Sequence, residues 1–480
     1  MKKYEPLSVF CGLMLASPAV VHATEKANEK AVEQPNVIIV FLDDSGYGDW
    51  GCYGNAVHRT PVVDQMAAEG MRLTGFYVTS GVSTPSRSSL MTGCYSQRIS
   101  MHINANPTPL MSSGRQVLFP ASHKGLNPSE ITIAEMLKEQ GYATACIGKW
   151  HLGDQLPFLP TRQGFDYYYG IPYSNDMNRD FCPLPVMEQE EVIIAPVGQD
   201  SLTWQYTTKA IEFIQKNKDQ PFFLYLAHSM PHNPLDASPA FKGKSENGLY
   251  GDAIEELDWS MGELFALLKK EGIDEKTWVI FASDNGAAPR FGGTNLPLRG
   301  WKGSTDEGGQ RVPCIMRWPG KIPAGRVSDE VVTSMDIFPT IAHYCNGNVP
   351  SDRIIDGKNV AQLLEGHPNA KSQTEVFYYY QRQQLQAVRW GKWKYHMPLE
   401  EKIMNVNSGI VEPFPQAELY DLDKDIAESE NLVSQHPEVV AQMEIFIRDA
   451  REDMGDWGYE GKNRRPAGII DEPFPRLIRK

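Results

Sequence analysis

The run Asn36–Leu42 (NVIIVFL) places six apolar residues in succession and ends directly on Asp43-Asp44. A strand with one wet face would alternate apolar with polar residues. An unbroken run of β-branched and aromatic side chains instead predicts a strand buried on both faces, with parallel neighbours and helices above and below. Four further runs read as strands: Tyr142–Ile147 (YATACI), Pro221–Ala227 (PFFLYLA), Thr277–Ala282 (TWVIFA) and Val312–Trp318 (VPCIMRW). Helical patterns lie between them at Thr60–Glu69, Ile131–Gln140, Ser201–Lys216, Ala253–Lys270 and Met335–Tyr344. This alternation predicts an α/β fold with a mostly parallel central sheet between helices.

The pattern changes between residues 350 and 375. Short strand-like runs follow at Glu375–Gln381, Gln386–Trp390 and Lys392–His396, then a helix around Pro437–Arg448. We expect a main α/β domain over 35–370 and a small C-terminal domain over 371–480, with an antiparallel sheet and a helix. Two readings are open for Phe377–Arg382 (FYYYQR): a half-buried strand of the small sheet, or a sugar-binding mouth, since Tyr faces stack on sugar rings.

The N-terminus reads as an address. Lys2 and Lys3 precede the apolar stretch Leu7–Val21, and Val21-His22-Ala23 fits a small-residue cleavage site. Residues 1–23 are therefore expected to be a signal peptide and 24–34 a polar, flexible leader, with export to a periplasm or beyond. No other segment approaches membrane-spanning length. Six cysteines lie beyond the signal peptide, but they form no disulfide framework and no metal-binding spacing. Lys plus Arg number 46 against 60 Asp plus Glu, a net charge of -14. That excess of acid argues against nucleic acid as a partner. It leaves room for a small anionic substrate held by a few converging cations.

In open α/β sheets, sites form beyond the carboxyl ends of the strands. Asp43-Asp44 follow the first strand, and Asp284-Asn285 follow Thr277–Ala282. Gly148-Lys149-Trp150-His151 follow Tyr142–Ile147, and His228 through His232 follow Pro221–Ala227. Each acidic pair alone could be a turn. Together they make an oxygen-only donor set that suits Ca²⁺, or less well Mg²⁺, rather than Zn²⁺. Lys149 and His151 lie two residues apart, so both can face the same side of the sheet edge.

The segment Ser83-Thr84-Pro85-Ser86-Arg87-Ser88-Ser89-Leu90-Met91-Thr92-Gly93 reads on its own as a helix start, with Pro85 near the first helical position. It also resembles the sulfatase signature: a Cys or Ser, then x-Pro-Ser-Arg, then Leu-x-Thr-Gly. Gly148–Gly153 (GKWHLG), Asn295–Gly303 (NLPLRGWKG), Glu307–Pro313 (EGGQRVP) and Tyr420–Leu432 resemble other blocks of that family. Gly170–Asp176 (GIPYSND) is most similar to the arylsulfatase A branch, with the N-acetylgalactosamine-6-sulfatases near it.

The resemblance implies an alkaline-phosphatase-like sandwich and a sulfuric ester hydrolase. Ser83 would be oxidised to formylglycine by a radical-type maturase before folding, the family's route for Ser rather than the commoner Cys. The hydrated aldehyde would attack sulfur and form a covalent sulfate hemiacetal. Asp43, Asp44, Asp284 and Asn285 would bind Ca²⁺, with residue 83 also near the metal. Arg87 would hold the hydrated aldehyde, while Lys149, Lys302 and Ser174 would grip sulfate. His232 would protonate the leaving alkoxide and His151 would take the second hydroxyl proton. The expected substrate is a sulfated small molecule or glycan, with a galactose or N-acetylgalactosamine ester favoured. Two rivals share the residues: a phosphodiesterase or phosphonate monoester hydrolase, and a non-catalytic binder of sulfated glycans if Ser83 stays unmodified.

Overall fold

All seven residues of Asn36–Leu42 are buried, because the strand runs parallel between Thr277–Ser283 and Phe222–Ala227. Ala143–Gly148 and Tyr167–Gly170 extend the parallel block beyond Phe222–Ala227. The computed structural model describes Met1 and residues 34–104, 115–404 and 411–478. The expected signal peptide, apart from Met1, and residues 24–33 of the leader lie outside the described residues. The five parallel strands form the centre of a ten-stranded sheet. Antiparallel strands flank it, with Cys314–Arg317 and Met71–Leu73 on one side and Val186–Glu188 and Glu191–Ile194 on the other, and Arg326–Ser328 pairs parallel to Met71–Leu73 at the outer edge.

The period-2 geometry of the first strand divides its side chains between two cores. Val37, Ile39 and Phe41 pack in one cluster with Leu90 and Met91 of the Ser83–Thr92 helix and Ile341 of the Ile337–Tyr344 helix. Ile38, Val40 and Leu42 pack in the other, with Tyr206 and Ile214 of Leu202–Asn217 and Leu257 and Leu264 of Gly248–Lys270. Burying a Val, Leu, Ile or Phe side chain stabilises a fold by about 1.5–3 kcal/mol. Six of them on one strand make it the axis of the molecule.

Several boundaries differ from expectation for identifiable reasons. The strand Cys314–Arg317 starts at Cys314 rather than Val312, since Pro313 has no N–H to give a ladder. The long helix starts at Gly248 rather than Ala253. Gly248 and Gly251 hide the helical pattern, yet a Cβ on Gly251 would lie 2.0 Å from Ser245 Oγ. There the close approach of a neighbouring turn outweighs helix propensity.

The C-terminal sheet is antiparallel, in the order Val376–Gln381, Gln384–Trp390, Trp393–His396 and Glu418–Asp421. Helix Pro437–Asp453 covers it with Val439, Met443, Ile447 and Ala450. Tyr77, Tyr95 and Met335 from the main body join this small core. A buried polar network also ties the small sheet to the short helix Glu307–Gln310 of the main body. Lys394 Nζ is 3.0 Å from both Glu307 Oε1 and Glu428 Oε1, and Tyr379 donates to Glu307 at 2.8 Å. Cys52, Cys94, Cys146, Cys182, Cys314 and Cys345 are all free thiols.

Candidate active site

The register of the parallel block brings four strand ends side by side: Leu42 opposite Ser283, Phe41 opposite Ala227, and Gly148 opposite Ala227. The residues just past each strand therefore meet at one edge. Asp44 adopts a left-handed φ of 67° and donates its backbone N–H to Asp284 Oδ1 at 3.1 Å. Asn285 Nδ2 donates to Asp44 Oδ1 at 2.7 Å.

Ser83 opens its helix, with Val82 as the cap and Pro85 at the third position rather than the first. Its hydroxyl donates to Asp43 Oδ1 at 3.0 Å. Lys149 Nζ reaches both Ser83 Oγ at 3.1 Å and Asp43 Oδ2 at 2.5 Å, and lies 3.4 Å from Ser174 Oγ. Arg87 stands one turn beyond Ser83 on the same helix face. Its Nε and Nη2 lie 3.0 and 2.8 Å from Asp284 Oδ2, and Nη2 is 3.7 Å from Asp43. Lys302 Nζ is 2.7 Å from Asp44 Oδ2, and His232 Nε2 is 3.7 Å from the same oxygen.

Charge holds this cluster together. Burial works to raise the Asp43 pKa, but Lys149, His232 and Arg87 outweigh it and bring it down to about 2. Burial likewise opposes ionisation of Asp44, and Lys302 and His232 overcome it. Lys302 is raised above its ordinary value, because Asp44 and Asp43 outweigh the cost of its burial. Lys149 goes the other way: burial and the Arg87 charge outweigh the help from Asp43.

His151, with a left-handed φ of 62°, faces the Leu118 carbonyl through Nε2 at 2.9 Å. A carbonyl only accepts, so Nε2 carries the proton and Nδ1 keeps a lone pair. That Nδ1 is buried without a partner. Burial and then Lys149 hold the ring far below its ordinary pKa, so it is a neutral base. His232 Nδ1 faces the Asn233 carbonyl, which by the same argument puts a proton on Nδ1 and leaves Nε2 turned toward Asp44.

The donor set fits a hard dication. Ligand atoms of Asp43, Asp44 and His232 lie within 4.8 Å of one another. The buried Asn285 Oδ1 has no hydrogen-bond partner, which is the state of a carbonyl oxygen awaiting a cation. His232 joins the cluster through the nitrogen that faces Asp44, beside the oxygen donors rather than among them. Asp284 belongs to the same hydrogen-bonded cluster, though Arg87 occupies one of its oxygens. Sequence reasoning missed Tyr225, whose hydroxyl accepts from Arg87 Nη1 at 3.2 Å. It also missed Thr84, which donates to the His151 carbonyl at 3.0 Å. Tyr225 is one aromatic among several in an apolar run, so no local signal marks it.

Residues 35–347 match the family model described as Sulfatase, and residues 302–453 match the model described as N-sulphoglucosamine sulphohydrolase, C-terminal. The chain belongs to the sulfatase family. Steryl-sulfatase of Homo sapiens is 36% identical over 448 residues, covering 76% of this chain and 75% of its own. N-acetylgalactosamine-6-sulfatase of Canis lupus familiaris is 37% identical over 384 residues, covering 76% and 72%. Among solved structures, a Pseudoalteromonas sp. sulfatase superposes with a TM-score of 0.76 at 28% identity, over 87% of this chain and 90% of that one. A phosphonate monoester hydrolase of Agrobacterium radiobacter shares the fold alone, at 18% identity and a TM-score of 0.62, over 87% of this chain and 95% of that one. As a sulfatase, the chain is a sulfuric ester hydrolase. No helix among the described residues is long and apolar enough to cross a membrane.

Proposed function

We propose that this sulfatase is exported and releases sulfate from a carbohydrate, using formylglycine at position 83 and a resident Ca²⁺. The single observation that carries the reading is the Ser83 side chain between Asp43 and Lys149, 3.0 and 3.1 Å away. A hydroxyl so placed sits where a cation-rich pocket receives an anionic ester. A radical-type maturase, acting before folding, removes two hydrogens from Ser83 to give the aldehyde, and its hydrate supplies the attacking oxygen.

The other roles follow from placement. Lys149 and Lys302 hold sulfate oxygens, with Ser174 beside Lys149, and Arg87 holds the hydrate. Such preorganised charge supplies the largest share of most enzymatic rate enhancements. His232 Nε2 delivers a proton to the departing alkoxide. His151 Nδ1, neutral and buried, accepts the proton of the remaining hydroxyl as sulfate departs. Asp43, Asp44, Asp284, Asn285 and residue 83 would hold Ca²⁺, which supplies positive charge opposite the sulfate oxygens. Three carboxylates face three cationic side chains here, so an added dication leaves a net positive pocket for a dianion.

Similarity to N-acetylgalactosamine-6-sulfatases supports an aminosugar or galactose ester as substrate. The test is the intact mass of the Ser83 peptide from the native host, together with turnover of a sulfated monosaccharide panel. Loss of two hydrogens with sulfate release is expected. An unmodified peptide with tight binding and no turnover would instead favour a glycan binder. Faster cleavage of an aryl phosphodiester than of an aryl sulfate would favour the phosphodiesterase reading.

A further inference from the structure

A cavity of about 520 Å³ opens in the C-terminal domain, outside the catalytic cluster. Its size falls within the roughly 300–1,000 Å³ of small-ligand sites. Glu400 and Glu401 of strand Leu399–Ile403 and Gln384 of the small sheet form part of its wall. Arg451 of helix Pro437–Asp453 adds to it, with Trp457 and Tyr459 of the hairpin that pairs Gly455–Asp456 with Tyr459–Glu460. The reaction at Ser83 uses none of these residues. A side-chain relay nevertheless joins the cavity to the Lys302 loop. Thr305 donates to Gln386 Oε1 at 2.8 Å, and Gln386 Nε2 donates to Gln384 Oε1 at 2.7 Å.

Two aromatic rings stand open to water on a fixed frame. Tyr459 is 58% exposed and Trp457 40%. The hairpin that carries them is tied to the small sheet through Asp456. Its Oδ1 accepts the backbone N–H of Trp457 at 2.7 Å and that of Leu385 at 2.8 Å. Arg451 Nε donates to Asp456 Oδ2 at 2.8 Å, and the guanidinium lies 5.5 Å from the Tyr459 ring centroid. Across the cavity, Gln384 Nε2 donates to the Glu401 carbonyl at 2.6 Å. Walls fixed before a ligand arrives bind it with less ordering cost.

The lining decides the occupant. Asp456 balances the charge of Arg451, so Glu400 and Glu401 leave the cavity acidic. A sulfated ring would meet like charge here, the reverse of its reception at Lys149 and Lys302. A cationic side chain is disfavoured as well, because Arg451 already takes the cation position beside Tyr459. A neutral sugar suits both parts of the lining: its C–H face lies on an aromatic ring and its hydroxyls donate to carboxylates. We propose that this cavity binds an unsulfated sugar ring. The proposal rests on the carbohydrate sulfatase reading above and extends it, since the enzyme then holds a glycan at a neutral unit as well as at the reacting ester.

The experiment titrates four probes into the full-length enzyme by calorimetry: β-1,4-galactotetraose, chitotetraose, a fully sulfated galactotetraose and tetralysine. At least one neutral tetrasaccharide is expected to bind saturably at millimolar concentration. Trp457→Ala and Tyr459→Ala should each weaken that binding by about tenfold, the value of one aromatic contact. Trp457→Phe should keep most of the affinity. On wild-type protein the tetrasaccharide should also shield an indole from acrylamide quenching, a signal that Trp457→Phe removes. No binding of either neutral probe, or an affinity unchanged in either alanine variant, overturns the site. So does an equal effect of Trp457→Ala on the fully sulfated chain, or tighter binding of tetralysine than of both sugars. The titration needs no turnover, which separates the two claims. Neutral binding without hydrolysis of any sulfated sugar sinks the substrate reading and leaves the cavity standing, and hydrolysis without neutral binding does the reverse.

Discussion

Lys149 Nζ lies 2.5 Å from Asp43 Oδ2, with both side chains fully withdrawn from solvent. A buried pair of this kind contributes little net stability when intact, and removing one partner costs about 3–5 kcal/mol through the charge left behind. Here the pair also touches Ser83, so its loss should register in chemistry before stability. We expect Lys149→Ala to lower kcat/KM on an aryl sulfate by about 10²–10³-fold, the usual cost of one transition-state donor. A variant within tenfold of wild type, as measured on protein with matched formylglycine content, would remove Lys149 from the sulfate site.

Metal removal gives a second expectation. Asp43, Asp44 and Asp284 are all buried, and a cation bound only by the folded state adds RT ln(1 + [L]/Kd) to stability. That is about 2.7 kcal/mol at a hundredfold excess over Kd. Treatment with a chelator should lower the melting temperature, and Ca²⁺ should restore it better than equimolar Mg²⁺, which demands tighter octahedral geometry. Equal rescue by both ions, or no change on chelation, would count against a resident Ca²⁺.

The parts of this site that could be read from sequence are the ones that local order fixes. Unbroken apolar runs ending on charged residues show both where a parallel strand lies and which groups it delivers, so Asp43, Asp44, Asp284 and Lys149 were legible. Tyr225 was not, because its hydroxyl finds Arg87 only once two distant segments pack. The approach of His232 to Asp44 was hidden for the same reason: it depends on a turn rather than a strand. The early start of the Gly248–Lys270 helix was masked by two glycines, Gly248 at a left-handed φ of +57° and Gly251 packed closely against Ser245.

Acid stability should report on His228. Burial holds this imidazole down to about 3, and its Nε2 meets Ser260 Oγ at 3.3 Å. Between about pH 6.5 and 3 the unfolded chain takes up a proton that the folded one refuses. Stability from this group is therefore complete above about pH 6.5 and is lost as pH falls, by up to about 1.4 kcal/mol per unit. Urea denaturation of His228→Gln at pH 7, 6 and 5 should give a shallower decline than wild type. An unchanged slope would mean that His228 does not stay neutral in the folded state.

The delivery of Lys149 depends on the glycine before it. Gly148 has a φ of +112°, and a Cβ there would lie 1.9 Å from the Ala227 carbonyl oxygen of the adjacent strand. That carbonyl accepts the Lys149 N–H at 2.7 Å, so backbone on both sides is fixed and cannot yield as a side chain would. Gly148→Ala combines backbone strain with overpacking, each costing about 1–3 kcal/mol. We expect a destabilisation on the order of 3 kcal/mol in urea melts. Activity should fall even in the folded fraction, since Lys149 would shift from both Asp43 and Ser83. A Gly148→Ala variant with wild-type stability and kcat would show that the strand end can deliver its lysine by another backbone path.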